Sequence, residues 1–193
     1  MMRPVRTPMS YPRRQQRLWA RKATLYQVAG TALLVVAFVA LGVGRAVLAV
    51  VAFPAGCALI IAYTSAANRA ARHRIGADSE QLIRDTLERL GPHGYTIAHG
   101  ARWRGGGDID HLVRTPNGLG LCIETKTRTF DQAHLERLRR QADSAARARR
   151  FPRGVLPVLC VARERDLQLL QDGILIVSTD QLLQAVTAAH ATA

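Results

Sequence analysis

The chain has 193 residues, 48% of them apolar, a size that fits one domain or one domain with an appendage. Its formal charge of +13 is lopsided: residues 1–74 hold 11 Lys/Arg and no acid, whereas residues 75–193 hold 16 Lys/Arg against 14 Asp/Glu. The basicity belongs mainly to the N-terminal segment, which excludes any argument from isoelectric point alone to nucleic-acid binding by the remainder. Three widely spaced cysteines in apolar runs, Cys57, Cys122 and Cys160, exclude a disulfide framework or a paired-cysteine zinc site. They read as small buried hydrophobes in a reducing compartment.

Residues 1–22 form a basic arm with Arg3, Arg6, Arg13, Arg14, Arg17, Arg21 and Lys22. Ala23 to Gly44 and Ala46 to Ala67 then give two uncharged runs of 22 residues, separated by Arg45 between glycines and alanine. About 20 apolar residues span the hydrocarbon core of a bilayer as a helix, so two membrane helices are expected, near 24–43 and 46–66. Pro54 in the second is tolerated better in a membrane helix than in a soluble one. Seven basic residues precede the first run, Arg69, Arg72 and Arg74 follow the second, and only Arg45 lies at the tip. The positive-inside rule then places both termini in the cytoplasm, with residues 1–74 in contact with lipid. Tyr26, Tyr63 and Trp19 fall where an aromatic belt would lie. A cleaved signal peptide is disfavoured because the apolar stretch is too long and a second follows at once. Core helices of a soluble protein would show a polar face, and these do not. Small residues such as Gly30, Ala37 and Gly56 suit helix contacts, within a homo-oligomer or a larger complex.

Residues 68–75 read as a basic linker, and the pattern changes at Gly76. Leu82, Ile83, Leu87 and Leu90 recur at helical spacing from Ser79 to Leu90, before Gly91-Pro92. Tyr95 to Ala98 is a candidate strand, and Arg102 to Gly107 a polar loop whose Gly105-Gly106-Gly107 lacks the context of a phosphate loop. Asp108 to Arg114 alternates, Thr115-Pro116-Asn117-Gly118 is a turn, and Leu119 to Thr127 is a second strand. Asp131 to Arg150 reads as a helix with an apolar stripe of Leu135, Leu138, Ala142 and Ala145. Its arginines either contact phosphates or form a solvated face, since Asp131, Glu136 and Asp143 are interspersed. Val155 to Val161 and Ile174 to Val177 are buried strands, and Ser178 or Thr179 caps a last helix to about Ala189. The order predicts an α/β (α+β layered) domain over residues 76–190.

The hairpin carries the chemistry. Alternation along a strand puts Glu124 and Lys126 on one face and Thr125 on the other. Asp110 and Glu124 are equidistant from Asn117, so the two carboxylates oppose each other if the turn is centred there. Such a pair needs positive charge beside it, from Lys126 or from a divalent cation. Mg²⁺ takes one or two carboxylates plus waters, and Asp110, Glu124 and the Thr125 carbonyl are suitable donors. A cation there polarises a phosphodiester and acidifies water, while Lys126 orients that water or stabilises charge developing on phosphorus. His111 points away and reads as structural. A solvated cross-strand cluster of Asp, Lys and Glu is the competing explanation.

Gly76-Ala77-Asp78-Ser79-Glu80, Gly107-Asp108-Ile109-Asp110-His111 and Glu124-Thr125-Lys126 together resemble the nuclease-related domain, a branch of the PD-(D/E)XK nuclease superfamily. The resemblance covers roughly Gly76 to Ala185. It implies a restriction-endonuclease-like core, a central mixed sheet flanked by helices. It also implies metal ligands at Asp110 and Glu124, a catalytic lysine at Lys126, and a supporting acid at Glu80 on the first helix. Gln141 matches a glutamine on the helix that follows, and His111 recurs in the pattern. Ser79 replaces the more common glycine, and Ile109 the proline of the superfamily name. The expected function is Mg²⁺- or Mn²⁺-dependent hydrolysis of DNA by a membrane-anchored, two-span protein. The alternative is a catalytically inactive nucleic-acid-binding or scaffolding module on the same anchor.

Overall fold

The computed structural model describes residues 11–103, 105, 107–147 and 149–192, so Arg3 and Arg6 of the basic arm and Gly106 lie outside it. The chain divides into two compact units, Met1–Ala77 and Asp78–Ala193.

The first unit contains α1 (Tyr11–Gly42) and residues 46–77 of α2 (Ala46–Glu88). Both helices are long and apolar enough to cross a membrane, and in each only 17% of the most apolar stretch is buried within the chain. Phe38, Val47, Val50 and Val51 are exposed, while the buried positions are small: Ala23, Gly30, Ala37 and Ala40 on α1, and Ala49, Ala52, Gly56 and Ala66 on α2. Positions 23, 30 and 37, like 49 and 56, repeat every seven residues, the period of a left-handed supercoil. The backbones approach closely at the glycines. A Cβ on Gly30 would lie 3.2 Å from the Gly56 carbonyl, and one on Gly56 would lie 2.8 Å from Leu34. Such close approach is what small residues at a helix contact permit. Trp19 lies under two cations, Lys22 Nζ at 4.7 Å and the Arg69 guanidinium at 4.6 Å from the ring centre. The turn at residues 43–45 uses Gly44 at φ 74°.

The expected linker at 68–75 is helical, because α2 continues through it without interruption to Glu88. Residues 68–75 contain no proline or glycine, and Gly76 alone costs a helix only about 1 kcal/mol. The helix expected over 79–90 is thus the final segment of α2, followed by a single 3-10 turn at Gly91–His93.

The second unit is a six-stranded mixed sheet in the order β1-β2-β3-β4-β6-β5, with helices on both faces. β1 (Thr96–Arg102), β2 (Asp108–Arg114) and β3 (Gly120–Lys126) form an antiparallel meander. α3 (Gln132–Ala146) leads to β4 (Val155–Val161), parallel to β3, and β6 (Ile174–Ser178) is parallel to β4. β5 (Gln168–Gln171) closes the edge antiparallel to β6, and α4 (Thr179–Thr192) ends the unit. One core packs Ile83 and Leu87 of α2 and Leu182 and Val186 of α4 against Val113, Leu121 and Ile123. The other packs Leu135, Leu138 and Ala142 of α3 against Leu112, Cys122 and Leu159. β3 and β4 are covered on both faces, which explains their near-continuous apolar runs.

Local signals set these elements. Gly118 at φ 92° completes the β2–β3 turn, with its N–H donating to the Thr115 carbonyl at 3.0 Å. Asp131 caps α3, accepting the His134 N–H at 3.0 Å, and Arg147 is its C-cap. The helix expected to run to Arg150 therefore stops at Ala146. β1 extends four residues past Ala98, and β5 was not foreseen.

Candidate functional site

The β2–β3 ladder fixes the site. Its pairs run from Arg114↔Gly120 to His111↔Ile123. One further step along both strands brings Asp110 level with Glu124, and there the ladder opens. Asp110 uses its side chain in place of its backbone: Oδ2 accepts the Thr125 N–H at 2.8 Å. Glu124 is 7% exposed, and its Oε1 accepts from Lys126 Nζ at 2.9 Å. The other carboxylate oxygen, Glu124 Oε2, is buried without a hydrogen-bond partner among the described residues.

Burial pushes the Asp110 carboxyl up from 3.8 to about 8, with the charge of Glu124 adding to it. The Thr125 N–H opposes that shift, Glu80 adds to it, and Lys126 opposes it. A carboxyl that resists ionisation beside a second carboxylate is a place where a cation is wanted. The Thr125 backbone completes the donor set. The neighbouring Lys126 carbonyl accepts from Ala162 N–H on the β4 side at 2.7 Å. Carbonyls alternate along a strand, so that of Thr125 turns towards β2, like its N–H. Asp110, Glu124 and the Thr125 carbonyl therefore fit a small hard cation that uses one or two carboxylates and keeps several waters. Among the described residues no group of three or more His, Cys, Asp or Glu is placed to hold a metal, so this set relies on two carboxylates and a carbonyl.

The structure thus brings Asp110, Glu124, Thr125 and Lys126 together by direct contact. Glu80, in the final segment of α2, reaches Asp110 by its charge and lies 4.0 Å from Arg84. Gln141 is fully buried on α3, donates from Nε2 to the Asp108 carbonyl at 3.3 Å, and leaves Oε1 unpartnered among the described residues. It touches the strand two residues before Asp110. Residues 75–157 match the family model described as the nuclease-related domain. That nuclease-related stretch contains Glu80, Asp110, Glu124, Lys126 and Gln141 and ends inside β4. No curated protein and no solved structure matches the chain.

His111 faces away from the carboxylates, as alternation predicts, and is fully buried. Its Nδ1 lies 2.7 Å from Nδ1 of His99, whose Nε2 lies 2.8 Å from Glu88 Oε1. Burial, followed by the influence of His99 and of Arg84, pushes His111 down to about 3. His99 and Glu88 were missed from the sequence. His99 lies beyond the expected end of β1, and only the β1–β2 register, His99↔His111, places the two rings together.

Proposed function

We propose that residues 76–190 form a metal-dependent phosphodiesterase domain of restriction-endonuclease-like architecture, acting on DNA and held at a membrane by the first unit. The observation that carries this reading is the opened end of the β2–β3 ladder, where Asp110 takes the Thr125 N–H beside the Glu124–Lys126 pair. Asp110, Glu124 and the Thr125 carbonyl would hold Mg²⁺ or Mn²⁺, which when bound draws charge from a phosphodiester and acidifies water. Lys126, paired with Glu124, would orient water or stabilise charge developing on phosphorus. Glu80 adds a carboxylate that supports the charge balance, and Gln141 holds the backbone just ahead of Asp110.

The membrane reading rests on the exposed apolar surfaces of α1 and α2, which a soluble chain would leave in water. The excess of basic residues at both ends of the hairpin supports a topology in which Arg69, Arg72 and Arg74 share the side of the basic arm and both termini are cytoplasmic. Membrane lipid contacts residues 1–74, and the outward face of the hairpin is available for homo-oligomer or complex formation.

Full-length protein in neutral detergent, incubated with DNA and Mg²⁺ or Mn²⁺, should cleave it. Asp110→Asn and Lys126→Ala should each lower the rate by about 100-fold or more. Cleavage by either variant at the parent rate would sink the mechanism. Absence of cleavage by the parent, with salt-sensitive DNA binding retained, would make the domain an inactive binding module instead.

A further inference from the structure

At the loop end of the β1–β2 hairpin, beside the C-terminus of α3, lies a cavity of about 430 Å³. Arg102, Arg147 and Arg150 line it with Trp103, over a floor that includes Ile109 and Leu112. All three arginines are exposed, and none forms an ion pair among the described residues. No carboxylate lines the cavity among the described residues. This differs from the middle of α3, where Arg139 is spent on Asp172, at 2.8 Å from its carbonyl and 3.5 Å from its carboxylate. Three like charges around one concavity, with no carboxylate in its described lining, concentrate a positive potential where an anion would sit. Guanidinium groups match phosphate geometry and bind it bidentately.

Trp103 adds a second requirement. Its Nε1 is buried and has no hydrogen-bond partner among the described residues, although an indole N–H is always a donor. The ring is covered at one edge by Gly105, where any Cβ would collide with it. Trp103 packs against the second core and also lines the cavity, and an aromatic ring beside arginines suits a nucleobase flanked by phosphates, provided that base is unstacked. The floor ties the cavity to the candidate catalytic centre, because Ile109 and Leu112 bracket Asp110 on β2. Leu112 is two residues from Asp110, about 7 Å along the strand.

We propose that this cleft is a subsite for single-stranded DNA, in which a base stacks on Trp103 while the flanking phosphates bind Arg147 and Arg150. The proposal rests on the reading of the domain as a DNA phosphodiesterase and adds the form of substrate it prefers. It assigns two of the C-terminal arginines to contact, and not to a solvated face.

The test is binding by the full chain in neutral detergent with EDTA, read as the anisotropy of a fluorescein-labelled 20-nucleotide single strand and of the matching duplex. The charges of residues 1–74 are common to parent and variants, so differences report the cleft. Trp103→Ala should weaken single-strand binding by about tenfold or more, while Trp103→Phe, which keeps a ring, stays within about threefold of the parent. Duplex binding should be insensitive to Trp103→Ala. Arg147→Ala with Arg150→Ala, both exposed positions, should lower the slope of log affinity against log salt by about 1.4. Single-strand binding within twofold of the parent by both Trp103→Ala and the double-arginine variant overturns the proposal. Cleavage assays on the same proteins separate the two readings. A parent that cleaves, with Trp103 irrelevant to binding, removes the subsite alone. A parent that never cleaves, with binding that depends on Trp103, removes the nuclease reading alone.

Discussion

Asp110→Asn should stabilise the metal-free domain at alkaline pH, an unusual outcome for altering a residue at the centre of a site. The folded carboxyl is raised from 3.8 to about 8 by burial and by Glu124. Between those values the folded chain keeps a proton that the unfolded chain has shed, so stability falls as pH rises through the window and levels off above it. His111, lowered to about 3, acts in the opposite sense, but only as pH drops below its ordinary value of 6.5. The clean interval is therefore pH 6.5 to 8. There the slope is at most about 1.4 kcal/mol per pH unit, and water reaching the half-buried carboxyl brings the expected loss to about 1–2 kcal/mol. Asparagine still accepts the Thr125 N–H through its amide oxygen but carries no charge. Hydrogen exchange of the β3 peptide, corrected for the intrinsic pH dependence of exchange, reports the opening free energy of this central strand. The parent should lose protection from pH 6.5 to pH 8, and Asp110→Asn should not. Saturating Mn²⁺ should restore the parent by favouring the ionised carboxylate and should do little for the variant. A parent whose protection is flat or rises over that interval, or a variant that tracks it, would refute the electrostatic account.

Three further outcomes test the packing. A Cβ at Gly120 would come within 2.8 Å of Phe151 and Val155, so Gly120→Ala should cost about 1–3 kcal/mol in denaturant titration. Gly76 meets nothing within 4 Å inside α2, and Gly76→Ala should instead stabilise by about 0.5–1 kcal/mol. Cys122 and Cys160 are fully buried, with thiols pushed up to about 12, so neither should react with iodoacetamide at pH 8 until the domain unfolds. Mass spectrometry that finds either of them alkylated in the native chain would show that the sheet opens more readily than its packing implies.

The sequence was most informative where one residue pattern had only one physical solution. β2 and β4 were legible to their end residues because alternation and a doubly buried apolar run each specify a strand. The convergence of Asp110, Glu124 and Lys126 followed from a Pro-Asn-Gly turn of known length, since register is then arithmetic. β5 was illegible: Gln168–Gln171 is a four-residue edge strand, exposed throughout, and edge strands carry no burial pattern to read. The far half of β1 was hidden by Gly100, which sits at φ 62° and interrupts the alternation. The continuity of α2 was hidden by a change from apolar to polar composition at 68–75. Composition changes when a helix changes its surroundings, whether or not the helix ends. The role of Arg147 and Arg150 was undecided in sequence because it depends on where α3 stops, and the Asp131 cap and the Arg147 C-cap settle that only in three dimensions.

The pair of histidines between β1 and β2 has a consequence for how the sheet finds its alignment. Two Nδ1 atoms at 2.7 Å share one proton, and Glu88 accepts from His99 Nε2. The arrangement that satisfies both contacts has His111 donating to His99 and His99 donating to Glu88, so every proton points towards the helix. Sliding β1 by one residue would set Ala98 or Gly100 opposite His111 and leave a buried imidazole facing hydrocarbon. The chain of rings thus acts as a notch that admits a single alignment of the two strands. Because Asp110 is the next residue along β2, the notch also fixes how far the candidate catalytic carboxylate protrudes from the end of the ladder.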